Sequence, residues 1–174
     1  GELPGVVYET ATFDAYGPGG VAMLIEGLTD NNNRTTAEIR NILSKKNGSL
    51  AGPGATSYLF TKKGFLSIEK SKANEETLME IALDAGAEDI NSEGENYDIT
   101  CDIASFQKVK DAITAKGIPI ATAEMTKLPS TYVRVVGDEA RSLLSLMEAL
   151  EEQEDVQNVY ANFDIPDEEM EKIV

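Results

Sequence analysis

The order of strand-like and helix-like segments is the feature that most limits the fold of this chain. A strand, a helix and a second strand follow one another four times, at spacings of roughly thirty residues, as judged from the period of the apolar side chains. Two such units form a ferredoxin-like split β-α-β sandwich, in which helices cover one face of an antiparallel sheet. The sequence therefore predicts an α+β protein made of two ferredoxin-like split β-α-β sandwiches with antiparallel sheets.

The individual segments follow from side-chain periodicity and from residues that begin or end helices. Alternating or continuous apolar side chains predict strands, and a helical period of apolar side chains predicts helices. Residues 61–64, Thr-Lys-Lys-Gly, predict a turn or hinge. Strands are expected at residues 6–14, 21–28, 55–60, 65–69, 87–92, 97–103, 118–125, 132–136 and 156–163, and helices at 35–47, 74–85, 105–116, from Asp138 and, as a short terminal helix, from Pro166.

One stretch places two special loops at the ends of a single strand. Residues 16–20 read Tyr-Gly-Pro-Gly-Gly and lead into the apolar strand at 21–28. Glycine permits positive φ and proline fixes its own φ, so this loop has a defined shape. A polar turn follows the strand, where Thr35 and Glu38 have the spacing of a capping box and predict the start of a helix. Lys45 and Lys46 occupy its last turn, and Gly48 ends it.

The charges of the chain are distributed unevenly. The formal net charge of −16 disfavours broad binding to phosphate backbones. Residues 34–63 nevertheless hold six basic side chains against Glu38 alone, whereas residues 138–174 hold twelve acidic side chains against Arg141 and Lys172. No apolar run approaches the roughly 20 residues that a membrane span requires. The sequence therefore predicts an electrically two-sided molecule with no membrane partner.

Residue types that carry most enzyme chemistry are missing or poorly placed. The chain has no histidine, which removes imidazole catalysis and the commonest metal ligand. Cys101 lies in an Ile-Thr-Cys-Asp-Ile alternation, which favours a buried core thiol over a nucleophile. Residues 17–20 lack the Lys-Ser/Thr of a phosphate-binding loop, and residues 30–33 lack the glycine and distal glutamate of a calcium loop. We expect no catalytic residue, no metal and no cofactor.

Three sequence features remain as candidates for recognition. The turn at 30–35 offers polar side chains, an arginine and free helix N–H groups that suit a phosphate, with ordinary helix capping as an equal alternative. The basic stripe at 34–63 suits an RNA or DNA backbone, with Tyr16 or Tyr58 for stacking, and its alternative is a solvated helix face. The acidic runs at 148–155 and 167–171 suit a basic partner, and a plain solvated surface is their alternative.

Three motifs also carry a family resemblance. Tyr-Gly-Pro-Gly-Gly at 16–20, Thr-Asp-Asn-Asn-Asn-Arg-Thr at 29–35 and the Gly54-x-x-x-Tyr58-x-Phe60 pattern resemble the YebC/PmpR family, and the match runs through nearly the whole chain. Members of that family are called probable transcriptional regulators, and some have been tied to translation. The family's N-terminal helical domain, rich in lysine and arginine, is absent, so the chain resembles the family's second and third domains.

The resemblance decides between two arrangements of the four β-α-β units. The sequence permits consecutive pairing of the units or insertion of one pair within the other. The resemblance implies insertion, with a discontinuous domain at 1–63 plus 129–174 and an inserted ferredoxin-like domain at 64–128.

The resemblance also implies a function and a set of partners. It implies a non-enzymatic regulator of gene expression that acts through nucleic acid, either as a DNA-binding transcriptional regulator or as a ribosome-associated translation factor that relieves stalling. The alternative is a protein–protein interaction module that uses the acidic face. The expected partners are DNA or ribosomal or transfer RNA, the ribosome, and the protein's own basic N-terminal domain. The expected location is the cytoplasm, or the mitochondrion for an organelle member.

These expectations select one set of candidate contact residues. They come from the glycine loop, the polar turn and the basic stripe, and the sequence predicts that one extended ligand spans them. Arg40 is the least secure member, because six residues separate it from Arg34 and the two need not share a helix face. The candidates for contact with nucleic acid or the ribosome are Tyr16, Gly17, Pro18, Gly19, Gly20, Asp30, Asn31, Asn33, Arg34, Thr35, Arg40, Lys45 and Lys46.

Overall fold

The computed structural model describes residues 7–173, which form two compact units. Unit 1 contains the residues up to Phe60 and from Pro129 onward, and unit 2 is Thr61–Leu128. Each unit contains one four-stranded sheet. The strand pairs within these two sheets run antiparallel wherever their register is described. The predicted α+β class with antiparallel sheets is therefore confirmed.

Unit 1 begins with a β-hairpin. Strands β1 (Glu9–Gly17) and β2 (Val21–Thr29) pair along their full lengths, and the 3-10 turn Pro18–Gly20 joins them. Helix α1 (Asn32–Lys45) then leads to the short strand β3 (Ser49–Leu50) on the other side of β1. Because β1 lies between β2 and β3, which α1 connects, this half of the unit is a split β-α-β arrangement whose middle strand comes first in the chain.

The last part of the chain completes unit 1. Strand β8 (Val133–Arg134) precedes helix α4 (Gly137–Glu152), which leads to β9 (Val156–Ala161) beside β2. Strand β10 (Phe163–Asp164) pairs with β8 in parallel, and helix α5 (Asp167–Ile173) follows. The core lies between the sheet and helices α1 and α4, and its fully buried side chains include Met23, Ile25, Ile39, Leu43, Leu143 and Leu146.

Unit 2 has the strand order of a ferredoxin-like fold. Its elements in chain order are β4 (Phe60–Glu69), α2 (Glu75–Ala85), β5 (Ala87–Asn91), β6 (Asn96–Cys101), α3 (Ile103–Ala115) and β7 (Thr122–Pro129). The sheet order is β5-β6-β4-β7, so β6 separates the two strands that α2 connects. Leu66, Ile68 and Ile99 of the sheet pack against Leu78, Val109 and Ile113 of the helices. The single cysteine, Cys101, is fully buried in this core.

Several predicted boundaries are wrong. Helix α1 begins at Asn32 rather than Thr35, and Asn31 caps it by accepting a 3.1 Å hydrogen bond from the Arg34 backbone N–H. Residues 61–64 form no turn, since they lie within β4. A β-carbon at Gly64 would lie 2.5 Å from Phe106 Cδ1, so this glycine allows close packing of α3 on the sheet.

Other differences concern the ends of elements. Residues 55–60 are not a strand: a 3-10 turn covers Ser57–Leu59, and β4 starts after it. The strand predicted at 118–125 is Thr122–Pro129, and Ile103 belongs to α3 rather than to the strand before it. Asp138 lies in the first turn of α4 and is not its cap. The first predicted strand included Val6, which lies outside the described residues.

Helix α2 is the helix whose two ends are marked most clearly by local residues. Helix α2 has both local signals, with Asn74 as its N-cap and Gly86 in the left-handed conformation after its last turn. No helix within residues 7–173 is long and apolar enough to cross a membrane.

Candidate nucleic-acid interface

The candidate contact residues fall into two groups at opposite ends of β2. The 3-10 turn Pro18–Gly20 precedes the nine residues of this strand, and Asp30 follows them. An extended strand of that length separates its ends by roughly 25–30 Å. We call the first group the hairpin end and the second the helix-start end. The hairpin end contains Tyr16, Gly17, Pro18, Gly19, Gly20, Lys45 and Lys46, and the helix-start end contains Asp30, Asn31, Asn33, Arg34 and Thr35.

Lys45 and Lys46 belong to the hairpin end because helix α1 runs back towards it. Ser49, which begins β3 shortly after the helix ends at Lys45, pairs with Tyr16 of β1. A β-carbon at Gly48 would lie only 2.9 Å from the Tyr16 carbonyl oxygen, so the chain passes Tyr16 closely as it leaves the helix. Arg40 is exposed on α1, between the two groups. The structure thus joins the glycine loop to the two lysines and not to the Asp30–Thr35 turn.

The helix-start end contains a hydrogen-bond network centred on Asp155. Thr35 is fully buried, and its Oγ1 lies 2.7 Å from Asp155 Oδ2. Arg34 Nη2 lies 2.9 Å from Asp30 Oδ1 and 3.3 Å from Asp155 Oδ2. The hydrogen bond from Thr35 holds the pKa of Asp155 below its ordinary value against the effect of burial, and bonds from Gln153 and Arg34 add to it. Two carboxylates therefore already engage the Arg34 charge.

Asp155 is a structural residue that the sequence did not reveal. It ends the acidic run at 148–155, where a solvated side chain was one expectation. Its carbonyl oxygen accepts a 2.9 Å hydrogen bond from the Leu28 N–H, and a β-carbon at Gly27 would lie 2.6 Å from that same oxygen. Asp155 therefore connects the end of β2 to the start of α1. No local pattern distinguishes it from its acidic neighbours, so only its distant partners identify it.

The glycine turn of the hairpin packs against helix α4. Gly17 and Pro18 are buried, and a β-carbon at Gly17 would lie 3.0 Å from Met23 Sδ and 3.1 Å from Leu143 Cδ1. Gly19 has φ 81°, and a β-carbon there would lie 2.6 Å from Glu139 Oε2. Because a carboxylate already lies against this turn, its glycines serve chain reversal and packing. Tyr16 is the part of the hairpin end that points away from α4.

A buried carboxylate holds the segment that follows β3. Asp14 of β1 is 5% exposed, and its Oδ2 accepts hydrogen bonds from the backbone N–H groups of Thr56, at 2.9 Å, and Ser57, at 2.8 Å. Burial raises the pKa of Asp14, but these bonds and those from the two hydroxyl groups outweigh it and leave the pKa below 3.8. Thr56 is itself fully buried and donates through Oγ1 to the Met23 carbonyl oxygen at 2.7 Å. Sequence reasoning missed Asp14, whose only signal was a lone acid in an apolar strand.

Two exposed tyrosines are close in sequence to the residues that the Asp14 bonds join. Tyr16 is two residues beyond Asp14 on β1 and shares its side of the sheet, because Ala15 between them packs in the helix-covered core. Tyr58 directly follows Ser57. The two tyrosines are 41% and 76% exposed, and the neighbouring residues 52–54, Gly-Pro-Gly, are exposed as well. We call Tyr16, Tyr58 and residues 52–54 the tyrosine face.

The segment that supplies most of the tyrosine face carries only positive charge. The chain has 31 acidic residues, yet residues 39–60 contain none, while they contain Arg40, Lys45 and Lys46. Arg40 and Lys45 are exposed. Lys46 is half-buried, and its Nζ bonds Ser145 Oγ of α4 at 2.8 Å. A negatively charged ligand therefore meets no carboxylate from this segment. The Asp14 carboxylate, which bonds Thr56 and Ser57, is only 5% exposed.

Comparison with known proteins identifies the family. The model of the TACO1/YebC second and third domain matches residues 8–163. The chain belongs to the TACO1/YebC family. The predicted resemblance to YebC/PmpR proteins is thus confirmed.

Curated TACO1/YebC relatives are named as regulators. A probable transcriptional regulatory protein of Desulforapulum autotrophicum is 48% identical over 168 residues, covering 97% of this chain and 68% of the relative. One from Geobacter sulfurreducens is 47% identical over 174 residues, covering 100% of this chain and 70% of the relative. The crystal structure of a conserved hypothetical protein from Aquifex aeolicus, 39% identical, matches with a TM-score of 0.80 over 95% of this chain and 69% of that one. The names of the two curated relatives support a regulatory role at the level of the family.

Few of the described residues of this TACO1/YebC chain are placed for catalysis or for metal binding. Within residues 7–173 no group of three or more histidine, cysteine, aspartate and glutamate side chains is placed to hold a metal ion. The Cys101 thiol is buried, and burial raises its pKa, with Glu88 and Asp102 adding to the shift. A thiol in that state is a poor nucleophile.

Proposed function

We propose that this chain is the part of a TACO1/YebC regulator that contacts RNA, including ribosomal RNA, through the tyrosine face and the cations of residues 39–60. It acts without catalysis, in the cytoplasm. The observation that carries the proposal is the absence of acidic residues from residues 39–60, beside two exposed tyrosines. The family relation supports regulation of gene expression, and the local charge supports a polyanionic ligand.

The acid-free segment stands out because the rest of the chain is so acidic. A net charge of −16 repels a phosphate backbone over most approach directions. The acid-free stretch that includes residues 39–60 extends to Ile68 and is the longest in the sequence. Residues 39–60 therefore add no acidic group to this repulsion. The helix-start end is less suitable, since Asp30 and Asp155 already engage Arg34.

RNA is a better match than duplex DNA for two reasons. Tight duplex binding without base readout requires many phosphate contacts, and residues 39–60 supply three cations. Exposed tyrosine rings stack only on bases that are not already stacked on their neighbours. Loops of folded RNA provide such bases, and an intact duplex does not. A DNA-binding transcriptional regulator is the second candidate, favoured by the names of the curated relatives. A protein-interaction module that uses the acidic surface of α4 is the third.

Co-sedimentation with purified bacterial ribosomes tests the proposal. The wild-type chain pellets with ribosomes at low salt, and the variant with Arg40, Lys45 and Lys46 changed to glutamine remains in the supernatant. The matched control changes Lys108, Lys110 and Lys116 of unit 2 to glutamine, which alters the net charge equally and preserves pelleting. Loss of three phosphate contacts also reduces the salt slope of RNA binding by about 2. Equal effects of the two triple variants, or stronger binding to duplex DNA than to RNA, would overturn the proposal.

A further inference from the structure

We propose that Tyr16 and Tyr58 stack on unpaired bases of a single-stranded polynucleotide, and that Asp14 is the positioning residue that holds Tyr58 for this purpose. The inference rests on the proposed function and specifies what the tyrosine face recognises. It assigns a role to a buried carboxylate that contributes nothing to the apolar core of unit 1. It also assigns a role to two aromatic side chains that lie outside that core.

The geometry shows how Asp14 fixes the position of Tyr58. One carboxylate oxygen accepts the N–H groups of Thr56 and Ser57, the two residues before Tyr58, at 2.9 and 2.8 Å. These bonds anchor the start of the 3-10 turn Ser57–Leu59 to strand β1. The turn has no side-chain hydrogen bond from its own N-cap residue, so Asp14 supplies the acceptor that its free N–H groups need. The Tyr58 backbone is therefore rigidly tied to the sheet.

The energetics indicate that this rigidity serves a ligand. Burying a carboxylate is unfavourable unless hydrogen bonds compensate for the lost water. Here those bonds order a turn whose central side chain is 76% exposed and gains little from packing. An aromatic ring that is held still before binding loses less entropy when a ligand arrives. Asp14 thus contributes to recognition by preparing an exposed ring.

The backbones of both tyrosines are close to Asp14. Tyr16 is two residues from Asp14, a distance of roughly 7 Å along the strand. Tyr58 is one residue from the Ser57 N–H that bonds the same carboxylate. Two exposed rings whose backbones are both held near Asp14 suit contact with one strand, and stacking accepts any base because every base has a π-face. The acid-free chain between residues 39 and 60 leaves the accompanying phosphates without a repelling carboxylate on that segment.

Binding of a fluorescein-labelled ten-nucleotide oligouridylate, followed by anisotropy, tests the stacking. Tyr16→Leu and Tyr58→Leu each weaken binding by roughly 5- to 100-fold, the range of one base–aromatic stack. Tyr16→Phe and Tyr58→Phe retain the rings and bind within about twofold of wild type. Tyr132→Leu, which removes another exposed tyrosine of unit 1, is the matched control and leaves binding unchanged. The affinity for an oligothymidylate of equal length, compared with that for the oligouridylate, shows whether the bound strand is RNA or DNA. A ten-base-pair duplex binds equally weakly to the wild type and to both leucine variants.

A second measurement separates positioning by Asp14 from stability. The chain has no tryptophan, so Tyr58→Trp introduces a single indole that reports on this turn. Bound oligouridylate quenches its fluorescence. Adding Asp14→Asn increases the fast local motion seen in its anisotropy decay and weakens binding, while the salt slope of binding stays the same. A change that only lowered global stability would leave the local motion unaltered below the melting transition.

The outcomes distinguish failure of this inference from failure of the proposed function. Leucine variants that bind as wild type, while the Arg40, Lys45 and Lys46 variant weakens, overturn the stacking and leave RNA contact standing. Phenylalanine variants as weak as the leucine variants also overturn it, because the hydroxyl groups rather than the rings would then bind. A wild-type chain that binds neither ribosomes nor any oligonucleotide overturns both proposals. If Asp14→Asn leaves both the indole motion and the binding affinity unaltered, Asp14 does not position Tyr58.

Discussion

Thr35 Oγ1 lies 2.7 Å from Asp155 Oδ2, although 120 residues separate the two in sequence. This bond explains why the polar turn after β2 has its observed shape. Its two partners are nearly or fully inaccessible to water, with Thr35 at 0% and Asp155 at 9% exposure. Removal of the Thr35 hydroxyl group takes from Asp155 its leading hydrogen bond, and removal of Asp155 leaves the buried Thr35 hydroxyl group with Thr29 and Asn31 alone. Loss of such a buried bond costs more than loss of a surface bond.

We therefore expect Thr35→Val and Asp155→Ala each to lower the free energy of unfolding by about 1.5–3 kcal/mol, the range for hydrogen bonds to charged groups. Urea unfolding of each variant measures the loss. Asp30→Ala is the control, because it removes the exposed partner of Arg34 and keeps the buried bond, so its effect is much smaller. A Thr35→Val variant as stable as wild type would show that the bond contributes nothing to folding.

The stability of the fold depends on pH through Asp14 and Asp155. The fold lowers the pKa of both carboxyl groups, so both favour the folded state while they are ionised. As the pH falls through their ordinary value of 3.8, the unfolded chain takes up protons before the folded chain does, and stability decreases. The contribution is complete above that value and is lost once the folded carboxyl groups are protonated.

Thermal melting between pH 3 and pH 7 tests this prediction. The melting temperature of the wild type should fall below about pH 5, where carboxylates begin to take up protons. The Asp14→Asn and Asp155→Asn variants should melt lower at neutral pH and show a shallower fall. Glu93→Gln is the control, since its exposed side chain lies in the turn between β5 and β6. Parallel curves for wild type and both asparagine variants would contradict the assignment.

Elements with complete local signals could be predicted from sequence, and helix α2 is the clearest case. Its apolar period, its Asn74 cap and its Gly86 stop all lie within the helix or next to it. The expected helix at 74–85 and the observed Glu75–Ala85 therefore agree closely. The family and the α+β class were also accessible, because motifs and periodicity are properties of the sequence itself.

Elements decided by distant partners could not be predicted. Thr35 has the spacing of a capping box, but Asp155 draws its hydroxyl group into a buried network instead. Residues 55–60 have the composition of a strand, yet Asp14 binds Thr56 and Ser57 and produces a turn. The candidate interface shows both cases: the sequence already placed the glycine loop and the polar turn at opposite ends of one strand, whereas the return of Lys45 and Lys46 to the hairpin end depends on the pairing of β3 with β1.

Gly64 provides a test of packing in unit 2. A β-carbon there would lie 2.5 Å from Phe106 Cδ1 and 2.9 Å from Cys101 Sγ, inside a tightly packed core. Gly64→Ala should lower the stability of unit 2 by roughly 1–3 kcal/mol, as overpacking does. Gly52→Ala is the matched control, because a β-carbon at Gly52 meets nothing within 4 Å. Equal melting of the two variants would show that α3 moves away without cost.

The insertion of unit 2 into unit 1 leads to a prediction about independent folding. All members of the unit 2 core lie between Leu66 and Ala123, and the unit has the full strand order of a ferredoxin-like fold. We therefore expect a fragment of residues 61–128 to fold alone and to melt cooperatively. Domains with their own core and complete sheet have this property.

Cys101 supplies a direct probe of that folding. It is the single cysteine of the chain and is fully buried among the side chains of unit 2. In a folded fragment its thiol should react with Ellman's reagent many times more slowly than in urea, since reaction requires the core to open. The Gly64→Ala fragment should react faster than the wild-type fragment under the same conditions, because it opens more often. A wild-type fragment whose thiol reacts as fast in buffer as in urea would show that unit 2 needs unit 1 to fold.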